Sequence, residues 1–286
     1  MAIFKRNGEK LEYDQSQDLF LEKLYGSLAG RCLLKVLTQP VITELGGAFM
    51  NSSLSKGQIN SFIEKNNIDM NLYESQDYHS YNDFFTRTIK DGVRHIDMDE
   101  NALIAPCDSK LTVYPIEDTL QLKIKNSVYT IEDLLMSPSL ADEYRGGLCL
   151  VFRLTVDDYH HYHFIDDGTA DKDHFIKGVF HTVNPIASDY YPIYKTNSRS
   201  YTVLHTKYFG DVVQMEVGAM MVGKITNLNK KTFKRGEEKG YFEFGGSTVV
   251  LFIKKDIVDI DEDILNISKN EDEVRVLMGE RIGTLK

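Results

Sequence analysis

The serine of Gly245-Gly246-Ser247 stands between an alternating stretch, Tyr241 to Phe244, and a β-branched and aromatic run, Val249 to Ile253. Two glycines remove two side chains from the backbone, admit positive-φ or strained geometry and leave the Gly246 carbonyl open to a neighbouring hydroxyl. The same pair within a strand is also the ordinary sign of a bulge or tight turn. Three of the eight histidines, His160, His161 and His163, follow closely on the apolar run Leu148 to Leu154. On a strand His161 and His163 would share a face, whereas in a helical turn His160 and His163 would. No cysteine or further ordered ligand set accompanies them, and Asp166 and Asp167 suit a turn, so no metal is expected. A cluster beside a loop suits a general base. Asp108, just after Pro106, reads locally as a turn aspartate. Together these groups offer an orienter, a base and a nucleophile. A strand follows the serine and no Gly-x-Ser-x-Gly elbow exists, so the electrophile nearest to Ser247 is its own preceding peptide bond.

The elements that position these groups divide in two. Residues 18 to 50 carry a helical pattern, with Leu21, Leu24, Leu28, Cys32 and Leu33 near one face and a division at Pro40. That face suits either a core or a membrane interface. Gln58 to Asn66 reads as helix, and Asn82 or Asp83 is placed to cap a short helix with Phe84 and Phe85 inward and Arg87 polar. After residue 102 the texture changes to short strands and turns: a hairpin over Leu120 to Tyr129, a short helix over Ile131 to Met136, then strands over Leu148 to Leu154, Phe175 to Asn184, Tyr201 to His205, Phe209 to Val217 and Gly218 to Ile225. Residues 256 to 286 read as acidic loops with one short strand.

Composition bounds the function. The 286 residues carry a net charge of -10 with 42% apolar content, which fits a folded globular protein and argues against nucleic acid as a partner. Cys32, Cys107 and Cys149 are odd in number and lack metal spacing, so free thiols in a reducing compartment are expected. Neither a cleavable leader nor a membrane-spanning run is expected.

In order and spacing, Tyr81-Asn-Asp-Phe-Phe-Thr-Arg87, Ala105-Pro-Cys-Asp108, Asp158-Tyr-His160-His-Tyr-His163, Val217-Gly-Ala-Met-Met-Val-Gly223 and Phe233-Lys-Arg-Gly with Gly240 to Val250 resemble the pyruvoyl-dependent phosphatidylserine decarboxylase proenzymes over most of the chain. The resemblance implies an α+β fold, with an antiparallel β-sandwich or barrel-like core (102–286) behind a helical, membrane-associating region (1–101). It implies self-cleavage between Gly246 and Ser247, with His163 taking the Ser247 proton and Asp108 holding that imidazole. Ser247 then becomes a pyruvoyl group, the only cofactor, on a small chain of residues 247–286. Phosphatidylserine would form a Schiff base with it and leave as phosphatidylethanolamine after loss of carbon dioxide, with His160 as proton donor. The expected setting is a homodimer lying peripherally on the cytoplasmic face of the cell membrane, its two chains held together. Where the family has Ala-Asp-Gly this chain has Cys107-Asp108-Ser109, and Asn197-Ser198-Arg199 replaces asparagine-glutamate-arginine, which leaves the role of Arg199 near the headgroup open. A decarboxylase for a soluble amino acid and a non-catalytic binding protein are the two competing classes.

Overall fold

The computed structural model describes residues 1–12, 16–124, 127–219, 224–243 and 247–286. At its centre Arg199–Thr206, Asp211–Val217, Ser247–Ile253, Leu148–Leu154, Ser109–Pro115 and Glu273–Val276 lie side by side in that order in one sheet. Neighbours among these six are antiparallel, and Ile3–Phe4 adds to Glu273–Val276 in parallel. Alternation sends Val249, Leu251 and Ile253 into one core layer and Val250 and Phe252 into the other. A strand buried on both faces must be apolar throughout, which explains the uninterrupted run from Val249. Phe252 is fully buried, and truncating such a ring to alanine costs about 3–5 kcal/mol.

One core layer is closed by a second sheet of Ile225–Asn227, Glu238–Phe242 and His161–His163, whose Tyr162 and Phe242 enter it. The other is closed by the hairpin Gln121–Ile124 and Ser127–Thr130 and by the helix Ile131–Leu135. The fold is therefore α+β with layered antiparallel sheets, as expected. The strand path stays open among the described residues, so no barrel closes.

Ahead of the sheets lie the helices α1 (Ser16–Gly26), α2 (Leu28–Leu37), α3 (Pro40–Met50), α4 (Ile59–Lys65) and α5 (Tyr81–Phe85). Pro40 starts a helix as expected, but a further break falls at Ser27, whose hydroxyl caps α2 by accepting Gly30 N at 3.0 Å. That break divides the apolar face: Leu21, Leu24 and Leu34 enter the main core, while Leu28 and Leu33 face outward. Ser80, not Asn82 or Asp83, caps α5 by accepting Asp83 N at 3.1 Å. Phe84 and Phe85 pack inward as anticipated, in a satellite cluster with Met50, Ile59 and Tyr81.

Three expectations need correction. The strand foreseen over Phe175 to Asn184 is only His174–Ile176, because the Asn197 side chain replaces a ladder, accepting His181 N and donating to the carbonyls of His181 and Gly218. Of the strand foreseen over Gly218 to Ile225, Gly218 and Ala219 are not strand, Met220 to Gly223 lie outside the described residues, and pairing begins at Ile225–Asn227. The tail holds Val258–Ile260, Glu262–Ser268, Glu273–Val276 and Arg281–Leu285 in place of acidic loops. Asp261 and Asp263 pair with Arg6, at 2.6 and 2.7 Å, so what read as solvated charge is a tie to the opposite end of the chain.

Candidate active site

Ser247 is the first residue of its strand and lies opposite Leu154. It is fully buried, and its hydroxyl has no hydrogen-bond partner among the described residues. Leaving a buried hydroxyl unsatisfied costs about 1–3 kcal/mol, and such groups call for an explanation. Gly245 and Gly246 lie outside the described residues.

The histidines divide by strand alternation. His161–His163 runs antiparallel to Glu238–Phe242, so His161 and His163 share a face, with Glu238 across from His163. Tyr162 points the opposite way and donates to Asn227 Oδ1 at 2.9 Å. Its hydroxyl also lies 3.2 Å from the Thr226 carbonyl. Gly240 permits this close layer: a Cβ there would lie 2.2 Å from the Thr226 carbonyl oxygen. His161 stacks on Tyr159 at 4.4 Å, sets Nδ1 3.0 Å from Glu238 Oε1, and turns Nε2 to the Thr86 carbonyl at 3.2 Å.

His160 precedes the strand and is fully enclosed. Its Nδ1 lies 3.0 Å from the Asp158 carbonyl and so carries the proton, which leaves Nε2 as an acceptor with no partner among the described residues. Burial pushes its pKa down to about 3. His163 is likewise lowered, to about 4, by burial first and by His161 next, against the opposing charges of Glu238 and Asp108. Both imidazoles are neutral near pH 7, the state a base requires.

Asp108 sits directly ahead of the strand Ser109–Pro115, buried beneath Arg94. It accepts Arg94 Nε at 2.9 Å, with a second bond from Nη2, and Met278 N at 2.8 Å. No hydrogen bond joins it to His163 among the described residues. The Pro106 carbonyl lies against that imidazole instead, 3.3 Å from Nδ1. The Asp108 charge favours a protonated His163, against the larger effect of burial. The Ser109 hydroxyl bonds the Cys107 carbonyl at 3.3 Å, closing the turn around Asp108 with the two residues that depart from the family pattern.

Arg199 spends its donors on backbone carbonyls. It is buried, and its guanidinium is satisfied by the carbonyls of Leu134, Lys195, Asn197 and Asp133 at 2.8–3.0 Å. Arg94 and Glu238 were not singled out, because each stands among polar and charged neighbours that give no sign of a partner. Glu238 had one legible sign: it lies in the strand leading to Ser247. Glu243 reaches Asn82 Nδ2 at 3.4 Å and Lys224 Nζ at 3.1 Å, linking α5 to the same approach. Among the described residues no group of three or more His, Cys, Asp or Glu could hold a metal. All three cysteines are free.

The chain matches the phosphatidylserine decarboxylase family over residues 81–284. It is 47% identical over 285 residues to phosphatidylserine decarboxylase proenzyme 2 of Clostridium acetobutylicum, covering 99% of this chain and 98% of that protein. The phosphatidylserine decarboxylase proenzyme of Clostridium perfringens is 39% identical, with 99% of each chain covered. That of Clostridium botulinum strain Langeland is 41% identical, with 98% of each covered.

Proposed function

Because the chain belongs to the phosphatidylserine decarboxylase family, we propose that it cuts itself before Ser247 and converts phosphatidylserine to phosphatidylethanolamine and carbon dioxide at a membrane surface. The buried, unpartnered Ser247 hydroxyl carries this reading. In this reading His163, its Nδ1 held by the Pro106 carbonyl, takes the hydroxyl proton at Nε2. The oxygen attacks the Gly246 carbonyl carbon, and the peptide bond becomes an ester with a free amine on residue 247. Loss of the residue 247 α-proton breaks the ester C–O bond, leaving a Gly246 carboxylate and a dehydroalanine whose hydrolysis releases ammonia and leaves a ketone.

The residues fit a pyruvoyl group at this position, since the Ser247 oxygen leaves with the Gly246 carboxylate and the methyl that takes its place needs no hydrogen-bond partner where the hydroxyl had none. When formed, that group takes the substrate amine covalently and accepts the electrons freed as carbon dioxide leaves. His160 offers Nε2 as acceptor while the Asp158 carbonyl fixes Nδ1–H. In this reading His160 first takes a proton from the incoming ammonium and then returns one to the carbon that has lost the carboxylate. An imidazole lowered to about 3 serves as donor only after such a transfer.

We take residues 1–101 as the membrane-facing layer and 102–286 as the catalytic unit. Leu19, Phe20, Leu28, Leu33, Val36, Val41, Leu45 and Phe49 are exposed on α1 to α3, an apolar surface of the kind that rests on lipid. Among the described residues no helix is long and apolar enough to cross a membrane. The homodimer and the cytoplasmic leaflet rest on the family resemblance alone. Intact mass of the purified protein, with and without borohydride, tests the core of the reading. Two fragments meeting at Gly246/Ser247, the smaller gaining two hydrogens on reduction, are expected. One 32.7 kDa species inert to borohydride overturns it.

A further inference from the structure

We propose that Arg87 receives an oxyanion of the substrate headgroup, a residue-level assignment that rests on the decarboxylase reading above. Its guanidinium is only 1% exposed, with Cζ 4.2 Å above the Tyr73 ring and 4.8 Å above that of Phe84. Nη1 reaches the Phe84 carbonyl at 3.4 Å and Nη2 the Tyr73 hydroxyl at 3.3 Å, both long. Nε is buried without a partner, and among the described residues Arg87 forms no ion pair with a carboxylate.

Other buried cations in this chain are treated differently. Arg153 is paired with Glu273, Lys110 with Asp158, Lys239 with Glu216 and Arg235 with Asp166. Arg199 has four short bonds to carbonyls. A guanidinium offers five N–H donors and keeps its charge, so one enclosed with two long bonds and two aromatic faces lacks an anion. A fork of donors on a flat cation is what recognises carboxylates and phosphates.

Position supplies the second argument. Thr86, the residue before Arg87, gives its carbonyl to His161 Nε2 at 3.2 Å, and Phe85 packs on His160. The charge of Arg87 is felt at His160, where it opposes protonation. Tyr73, which carries the guanidinium, neighbours Tyr159, whose ring stacks on His161. The unpaired cation therefore borders His160, which the proposed chemistry uses, and His161 beside it, and the headgroup of phosphatidylserine brings two oxyanions, a phosphodiester and a carboxylate. A bound oxyanion would replace the two long bonds and complete the donor fork.

The test uses the full chain with Arg87→Met and Arg87→Lys. Arg87→Met is expected to mature normally by intact mass and to melt at or above the wild-type temperature, since it removes an unpaired buried charge. Its KM for phosphatidylserine in mixed micelles should rise at least tenfold, with a smaller fall in kcat, and Arg87→Lys should recover part of the loss. Thermal shift with soluble probes separates the two oxyanions. A shift by glycerophosphoethanolamine that Arg87→Met abolishes assigns the phosphodiester, and one by serine that it abolishes assigns the carboxylate. Wild-type KM in Arg87→Met, or probe shifts that persist in it, overturns the proposal. If Arg87→Met does not fold, Arg87→Lys decides: it keeps the charge but not the fork, and an unchanged KM overturns the assignment. The thermal-shift arm needs no maturation, so it reports on Arg87 even in a chain that stays uncut, an outcome that would end the decarboxylase reading separately.

Discussion

Phe85 rests its ring 4.2 Å from that of His160, tilted by 45°. The short helix α5 thereby seals the histidine from water, and burial holds the imidazole down at about 3. Phe85→Ala should let water in and raise the His160 titration midpoint by at least one unit, read by NMR. The same change should cost about 3–5 kcal/mol of stability, while Phe85→Leu should cost less and move the midpoint less. A midpoint that stays put in Phe85→Ala would show that other groups enclose His160.

Stability should fall as pH drops below the ordinary histidine value. His160 and His163 are lowered in the folded state to about 3 and about 4, from 6.5 when unfolded. Between those values the unfolded chain binds the extra protons, so stability is fully present above pH 6.5 and is lost as pH falls toward the folded values. Each histidine contributes a slope of up to about 1.4 kcal/mol per pH unit. Urea midpoints at pH 7, 6 and 5 check this, and His163→Gln should remove one histidine's share of the slope. An unaltered slope in that variant would place the acid sensitivity elsewhere.

The Arg153–Glu273 pair, at 2.5 Å and nearly enclosed, should be costly to break from one side. Glu273→Ala strands a buried guanidinium and should cost about 3–5 kcal/mol, whereas replacing both partners with methionine should cost far less. Glu273 lies in the segment after Ser247 and Arg153 in the segment before it, so in a matured sample the single change should also lower the urea concentration at which the two pieces part. Equal losses in the single and double variants would mean that the pair's charge is not the issue.

Lipid binding should separate from folding on the α1 to α3 face. Leu28 is 77% exposed and Leu45 63%, so replacing either with aspartate should leave the melting temperature nearly unchanged. Each inserted side chain is worth about 1.5–3 kcal/mol, roughly tenfold or more in vesicle partitioning. Leu21, only 6% exposed, belongs to the main core, and Leu21→Asp should unfold the protein. Flotation with anionic vesicles reads the first effect and calorimetry the second. Undiminished flotation of the Leu28→Asp, Leu45→Asp double variant would remove this face from membrane contact.

Local chemistry made much of this legible. The run from Val249 was readable as an extended segment, though not as one buried on both faces, and the strand alternative for the histidines put His161 and His163 together correctly. Asn197 could not be anticipated as a ladder substitute, because its partners are distant in sequence and its amide has no period. The Arg94–Asp108 pair was hidden for the same reason: a guanidinium among polar neighbours gives no sign of which carboxylate it will find. Arg87 read only as the polar residue after a short helix because its type, not its packing between Tyr73 and Phe84, is what a sequence displays.

The strand Ser247–Ile253 has a partner on each side, Asp211–Val217 and Leu148–Leu154. If the backbone is severed just ahead of it, assembly of the sheet becomes a meeting of two molecules where it had been the closing of one loop. The effective concentration that first drove the strand into place then no longer exists. The severed protein would carry a record of its own order of events, the sheet first and the cut second. Once denatured and diluted, it should fail to return to the state that the intact chain reaches unaided.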